Sequence, residues 1–375
     1  SSDIGGDRFP FEHFFARNTG GGGYTFGTGF SATSNANEVS LANAFITWEN
    51  IRTLNAGVDL QLFQNQLSLS ADLFETNRSG ILTTSSIPGI LGMTVTENAG
   101  EVESKGLELN MNFERQIGKL MLSLYGNALF SEDKVLAENG QAGLPEYQRT
   151  IGRVVGSRLL FLSDGIFQNQ AQIDASPKQV LSGKVVAGDI KYKDVGGAAG
   201  KPDGIVDNLD RVRINERDQP TSYFGFGTTL AYKFLDLAIH MNGALGRTID
   251  VQSIVNSGPI SFNAESIKRW TPQTGATALY PRLGIADRAN NTSGSDFWLQ
   301  SGDYLRLKNI ELGFNFPSKF LNKYSISNAR LYVGGFNVFA FDKLDLDIDP
   351  EIPFSGRGSA YPYIKTFYLG LRTSF

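Results

Sequence analysis

The sequence predicts an all-β fold, an antiparallel transmembrane β-barrel, from three observations. Apolar and polar residues alternate strictly over segments of about 9–12 residues, the length that a tilted strand needs to cross a bilayer. The connections between these segments are alternately short and long. Glycine (42 residues) and aromatic residues (11%) are frequent in the 375-residue chain, as is typical of a protein with many strands and turns.

The first clear strands are segments in which every second residue is apolar, so that apolar side chains share one face. They are residues 54–62, 67–73, 107–114 and 235–241. Further strands are predicted at about 119–130, 222–233, 304–316, 329–340 and 365–375, and a weaker one near 24–30, about ten in all. Their opposite face carries polar residues in mid-strand, among them Asp59, Asp72, Glu108, Asn110, Asp236 and Glu311. Water on that face suits a barrel lumen better than a soluble β-sandwich or propeller, whose strands are also shorter.

The segment 304–316 changes phase. Its apolar residues are at odd positions up to Leu307 and at even positions from Ile310 onward. One extra residue in a strand has this effect, so a β-bulge near Lys308 and Asn309 is predicted to restore a single apolar face.

The connections assign the two sides of the predicted barrel. Short turns fall at 64–66, at 116–118 and around Phe234, with a middling one at 317–328. Long loops are predicted at about 78–104, 131–219, 247–303 and 341–363. Short periplasmic turns and long external loops are the usual asymmetry of outer-membrane barrels. Residues 1–52 are then an upstream barrel or loop segment, and 53–375 carry the barrel strands.

The last predicted strand has an apolar face that ends in an aromatic residue. Phe367, Leu369, Leu371 and Phe375 lie on that face, together with Thr373. A terminal aromatic on such a strand resembles the signal by which the barrel assembly machinery recognises its substrates. The alternative is a chain that merely stops at a phenylalanine.

Composition excludes several functions. The 34 basic and 38 acidic residues are nearly balanced, so nucleic acid is not an expected partner. The chain has no cysteine and two distant histidines, which argues against Cys- or His-based metal sites and thiol nucleophiles. No Ser–His–Asp or paired-carboxylate arrangement exceeds chance, so an enzyme is the weakest class.

Several segments resemble, in order, the SusC/RagA-type TonB-linked proteins. They are ITWENIRTLNAGVDLQLFQNQLSLSADLFE (46–75), NAGEVESKGLELNMNFE (98–114), GDIKYKDV (188–195), FWLQSGDYLRLKNIELGFNFP (297–317) and ARLYVGGFNVFAF (329–341). The resemblance covers most of the chain from about residue 46 onward.

The resemblance implies a transporter of the bacterial outer membrane. Its barrel has about 22 strands and contains an N-terminal plug, so about ten strands are expected to be the C-terminal part of a larger barrel. A self-contained barrel of about ten strands is the alternative. Implied partners are TonB, acting through an absent N-terminal region, a SusD-like lipoprotein over the external loops, and membrane lipid. The implied function is import of an oligosaccharide or peptide; the alternative is an adhesin or scaffold barrel.

A loop segment carries the one candidate metal site. Asp203, Asp207 and Asp210 are closely spaced around a Gly turn, as in a calcium loop, although VGGAAGKP separates them from Asp194. Acidic residues near glycine also occur in plain turns. No other cofactor is expected.

Other residues have ordinary roles as their main interpretation. Asp236 and His240 share a strand face, which suggests a proton relay, but two such residues on a wet lumen wall need no special role, and this ordinary interpretation is preferred. The loop aromatics Trp270, Tyr280, Trp298 and Tyr361 could stack on sugars or pack in the loops; packing is preferred for Trp298.

Overall fold

The computed structural model describes residues 11–12, 14–18, 25–26, 31–32, 35–86, 94–139, 143–181, 183–197, 200–255, 264–284, 289–346, 348–351 and 363–375. Tyr361 lies outside these residues, as does part of the predicted weak strand near 24–30. The described part of that segment is the two-residue strand Thr25–Phe26, which pairs with Ser31–Ala32.

Nine long strands of the described chain lie side by side in one sheet, in chain order. We name them β1 (Asn50–Leu62), β2 (Leu67–Ser86), β3 (Thr94–Ile117), β4 (Leu120–Ala137), β5 (Ser222–Tyr232), β6 (Leu235–Leu245), β7 (Tyr304–Asn315), β8 (Asn328–Asp342) and β9 (Thr366–Ser374). The pairings from β5 to β9, and that of β5 with β4, are antiparallel. The predicted antiparallel sheet and the alternation that predicted it are confirmed.

The predicted bulge in β7 is confirmed by the register of its neighbours. His240 pairs with Asn309 whereas Met241 pairs with Leu307, so Lys308 is the extra residue opposite β6. Ile310 and Leu307 therefore both lie on the apolar face, opposite Ile239 and Met241. The register with β8 shifts at the same level.

The short turns lie where the sequence predicts them. Residues 63–66 join β1 to β2, with positive φ at Phe63, Gln64 and Asn65. Gly118, at φ 60°, lies in the turn before β4, and Lys233 and Phe234 alone join β5 to β6. The longer 317–328 connection contains a helical turn at Ser318–Leu321 and a 3-10 turn at Asn322–Tyr324.

The predicted loop at 78–104 is wrong for most of its length. β2 continues to Ser86 and β3 begins at Thr94. Polar pairs connect the two strands there: Asn77 donates to Glu101 Oε1 (2.8 Å), and the Thr84 and Thr96 hydroxyls are 3.4 Å apart. Polar residues stand at both odd and even positions of this extension, as in Arg78 and Ser79 or Thr83 and Thr84, so its sequence lacks the alternation by which the other strands are predicted.

The chain divides into two compact units. The first comprises residues 1–54, 74–105 and 133–155. In it Phe14–Asn18 pairs with Asn35–Leu41, which in turn pairs in parallel with the start of β3. Arg78 binds Glu49 through two nitrogens, at 2.9 and 2.7 Å, and Asn98 joins Thr47 to Gly80 by donating to both carbonyls. A 3-10 turn spans Glu146–Gln148.

The second unit comprises residues 55–73, 106–132 and 156–375. Besides the strands it contains loop strands that pair with one another: Arg158–Leu160 with Val212–Ile214, Ser163–Ile166 with Ile190–Tyr192, Lys178–Gln179 with Ile205–Val206, and Thr248–Asp250 with Leu299–Ser301. Short helices are Gln170–Asp174, Gln252–Val255 and Ala289–Thr292; 3-10 turns are Asn208–Asp210, Ala264–Lys268 and Asp296–Trp298. Among the described helices, none has the length and apolarity of a transmembrane helix.

The loops of the second unit have a hydrophobic core of their own. Trp298, 1% exposed, stacks on Tyr280 and is surrounded by residues from three predicted loops. The cluster comprises Phe161, Ile190, Tyr192, Val206, Ile249, Val251, Ile254, Val255, Tyr280, Trp298 and Leu346. The buried carboxylate of Asp189 is bound there by Arg282 (2.6 Å) and by Asn291 (2.9 Å). The long loops therefore form a folded body, and Tyr280 and Trp298 have packing roles.

Candidate functional site

The sheet has one exposed apolar face. In the second unit, cross-strand neighbours match apolar with apolar, as in Leu237 opposite Leu312 and Val333 opposite Leu369. Leu369 is 74% exposed, and the other residues of the predicted assembly signal, Phe367, Leu371 and Phe375, are exposed as well. So broad an exposed apolar surface suits contact with lipid.

The opposite, polar face carries an ion-pair network at the turn end of β6–β9. The Arg330 guanidinium binds both oxygens of Asp236, with a 3.0 Å contact from Nε, and also Glu311 Oε1 at 2.8 Å. Asn315 donates to Asp236 (2.7 Å) and the Tyr368 hydroxyl donates to Glu311 (2.7 Å). A guanidinium shared by two carboxylates holds neighbouring strands in a fixed arrangement.

Tyrosines on the polar face lie against glycines of the neighbouring strand. Tyr368 is paired with Gly334, and Tyr332 with Gly370. A Cβ on Gly334 would lie 2.4 Å from the Tyr368 hydroxyl, and one on Gly370 would lie 2.3 Å from the Tyr332 ring. Tyr125 has the same relation to Gly227. Only glycine leaves room for these rings to lie so close to the neighbouring strand.

Asp236 and His240 have separate partners, although they share this face. Asp236 is bound by Arg330 and Asn315, whereas His240 Nδ1 lies 3.1 Å from the Tyr125 hydroxyl and its ring stacks on that tyrosine. The structure thus places no direct contact between them, in keeping with the ordinary interpretation of the pair.

At the loop end of the same face, a carboxylate from the segment after β8 is bound by four side chains of the sheet. Glu351 accepts hydrogen bonds from Asn242 (3.0 Å) and Tyr304 (2.9 Å) and lies 3.1 Å from Arg306 Nε and 3.4 Å from Lys308 Nζ. Burial by itself raises the pKa of Glu351, but these hydrogen bonds and positive charges outweigh it and hold the pKa below the usual range.

Asp349 and Tyr363 complete this group. Asp349 forms an ion pair with Arg306, and the Tyr363 ring lies 5.3 Å from the Arg306 guanidinium and 4.5 Å from Lys308 Nζ. Sequence reasoning missed the whole group, because its acids lie in a predicted loop and its cations in a strand.

A cavity of about 520 Å³ adjoins Glu351. Its walls combine tyrosines, arginines and carboxylates: Arg158, Asp218, Tyr223, Arg247, Asp250, Tyr304, Glu351 and Tyr363 are among the lining residues. Tyr223 and Tyr304 come from the loop ends of β5 and β7, and the others from the folded loops and the segments around them. Mixed aromatic and charged side chains are suited to a polar ligand.

The carboxylates of the predicted calcium loop are bound to backbone amides. Asp210, fully buried, accepts from Val195 (2.7 Å), Gly196 (2.9 Å) and Asp207 (2.7 Å). Asp207 caps the following turn at Leu209, and Asp203 accepts from Ile205. Within the described residues, no group of three or more His, Cys, Asp or Glu side chains is placed to hold a metal ion. Calcium binding at Asp203, Asp207 and Asp210 stays a prediction, beside the simpler account of a loop closed by hydrogen bonds.

Comparison with known proteins identifies the family. Residues 14–338 match the family model described as TonB dependent receptor-like, beta-barrel. The chain is 26% identical to TonB-dependent receptor P3 of Formosa agariphila, over 89% of this chain and 35% of that protein. It is 22% identical to TonB-dependent receptor SusC of Bacteroides thetaiotaomicron, over 99% of this chain and 36% of that protein.

The fold also matches a solved structure. The RagAB peptide transporter aligns with 98% of this chain and 39% of its own, at a TM-score of 0.68 and 19% identity. The chain thus spans little more than a third of the length of the relatives that it matches. It belongs to the TonB dependent receptor-like β-barrel family and contributes strands to a barrel in the bacterial outer membrane.

Proposed function

We propose that the full-length protein imports a polar oligomer, an oligosaccharide or a peptide, across the outer membrane. Family membership supports a receptor that delivers its ligand with energy from TonB, and a SusD-like lipoprotein is proposed as the partner at the external loops. The similarity to a protein described as a peptide transporter makes peptides one of the two candidate substrate classes.

The observation that carries this proposal is the cavity beside Glu351 and the polar face on which it opens. The cavity is lined by Tyr223 and Tyr304 at the loop ends of their strands. The same face continues to the Arg330 network near the turns. Polar groups held by neighbouring side chains offer a ligand successive contacts, as a transport path requires.

Uptake by cells that produce the full-length protein and its neighbouring lipoprotein tests the proposal. Tyr223→Ala is expected to lower the uptake of the substrate, because it removes a ring from the cavity wall. Tyr232→Ala is the matched control, since Tyr232 lies on the other face at the far end of the same strand. Equal uptake by both variants would contradict the assignment of the cavity.

An adhesin or scaffold barrel is the alternative function. Uptake that stops when a proton uncoupler removes the energy source supports import. Surface binding that persists under the uncoupler, with no ligand inside the cell at any time, supports the alternative.

A further inference from the structure

We propose that the carboxylates of Asp349 and Glu351 occupy a receptor for a carboxylate of the substrate, which displaces them on binding. The inference rests on the proposed import function and narrows its substrate class to oligomers that carry a carboxylate. The segment after β8 that carries these two carboxylates then occupies the binding site, as a stand-in ligand, while no substrate is bound.

The receptor is a set of donors on two adjacent strands. Asn242 is paired with Arg306, and Ala244 with Tyr304, so Asn242, Tyr304 and Arg306 lie together on the polar face. The bulge adds Lys308 to them. Two cations and two neutral donors on paired strands make an anion site whose backbone positions are set by the sheet and not by the segment that fills it.

The segment fills this site incompletely. Arg306 Nε lies 3.1 Å from Glu351 but forms no aligned hydrogen bond, and the buried Asn242 Oδ1 also has no hydrogen-bond partner among the residues that the structure describes. Buried polar atoms are nearly always paired in a native site. A ligand with a carboxylate and neighbouring donors can satisfy both atoms better than Glu351 does.

The segment releases its carboxylates by breaking a loop contact beside them, the hydrogen bond that Arg247 donates to the carbonyl of the buried Pro350. Its anchor is Leu346, which is buried in the loop core, and the Asp345 amide donates to Gln300 Oε1 at 3.0 Å. Among the described residues of the segment, Asp349 and Glu351 form ion pairs with the receptor, and the Tyr363 ring lies over Arg306 and Lys308. Since Glu351 also lines the cavity, a ligand in the cavity is already beside the group that it replaces.

Charge decides which ligands can make this exchange. A ligand carboxylate restores the hydrogen bonds and the neutralising charge that Arg306 and Lys308 lose when Glu351 leaves. A neutral ligand leaves two cations without a counter-charge, which costs affinity. A peptide C-terminus and a uronic acid share the required group.

Binding of paired probes to the purified full-length protein tests the inference. The probes are tetra-alanine and its C-terminal amide, and trigalacturonic acid and its methyl ester. We expect at least one acid to bind about tenfold more tightly than its neutral analogue, and to speed hydrogen exchange at the Glu351 amide, which donates to Asp349. Which acid does so distinguishes peptide from sugar. Equal affinity of acid and neutral probes in both pairs would overturn the inference.

Glu351→Gln removes the stand-in charge. The variant is expected to bind the preferred acid about tenfold more tightly, as for a binding-competent state populated in about one molecule in ten. Asp345→Asn is the matched control on the same segment, because the contacts of Asp345 to Gln300 and Lys268 use its backbone atoms. Weaker acid binding by Glu351→Gln would overturn the inference, and the wild-type probe comparison decides the matter if the variant does not fold.

Uptake separates this inference from the proposed function. Equal uptake of acid and neutral probes, reduced in Tyr223→Ala, would refute the carboxylate receptor and leave import standing. Absence of energy-dependent uptake for every oligomer offered would refute import itself.

Discussion

Replacing Arg330 by Met is expected to destabilise the barrel, because it removes one cation from two carboxylates. The Arg330 and Asp236 side chains are 19% and 20% exposed, and that of Glu311 is 23% exposed. Loss of one partner costs about 3–5 kcal/mol for a fully buried pair and about 1 kcal/mol or less at the surface. Discounted for the partial exposure of all three groups, the expected loss is about 2–3 kcal/mol.

The measurement is denaturant unfolding of the full-length protein in lipid vesicles, followed by the change in gel mobility between folded and unfolded barrels. Arg372→Met is the control, because Arg372 is the cross-strand neighbour of Arg330 and is exposed. Its loss is expected to change the free energy of unfolding by about 0.5 kcal/mol or less.

The source of the loss is checked by removing the charges together. Arg330→Met combined with Asp236→Asn and Glu311→Gln leaves no unpaired charge, so it is expected to recover most of the stability. If Arg330→Met is no less stable than Arg372→Met, the network does not hold the strands, and the reasoning fails.

Four further outcomes are expected. Leu109→Arg should cost about 2–4 kcal/mol and lower the yield of folded barrel in the outer membrane, because its charge faces lipid, whereas Asn110→Arg on the other face should not. Gly370→Ala should cost about 1–3 kcal/mol in the same vesicle assay, because its Cβ overlaps a tyrosine ring; an unchanged midpoint would contradict the close packing. The lowered pKa of Glu351 means that its contacts stabilise the segment above the ordinary value of 4.5 and are lost as the pH falls through the lowered pKa. Exchange of the Asp349 and Glu351 amides, corrected for intrinsic rate, should then rise, with no such rise in Glu351→Gln. Calcium should leave the melting temperature unchanged if hydrogen bonds to Asp210 alone close its loop, and a rise that EDTA reverses would support the ion site.

The strands were predictable where their two faces meet different surroundings. Alternation around Leu109 and Leu237 marks an apolar and a polar face, and a one-residue change of phase was enough to locate the bulge at Lys308. The end of β2 and the start of β3 were not predictable in this way, since polar residues such as Thr83 and Thr84 occupy successive positions there and so lie on both faces.

The loop core and the Glu351 receptor depend on contacts between residues that are far apart in the chain. Trp298 stacks on Tyr280, and both belong to the same buried cluster as Ile190. Glu351 is bound by Asn242, more than a hundred positions earlier. The alternation of apolar and polar residues depends only on the surroundings of the strand itself. Neither the loop core nor the Glu351 receptor can therefore be recognised from a single sequence.

The glycines opposite Tyr125, Tyr332 and Tyr368 have a kinetic consequence. Because each ring lies against a glycine of the neighbouring strand, the wall presents shallow aromatic patches there instead of deep pockets. A molecule that moves along this wall binds weakly at each patch and crosses only low barriers between patches, so its dwell time at each is short. Passage requires such a surface, since a ligand held tightly at one point would block the path for the next.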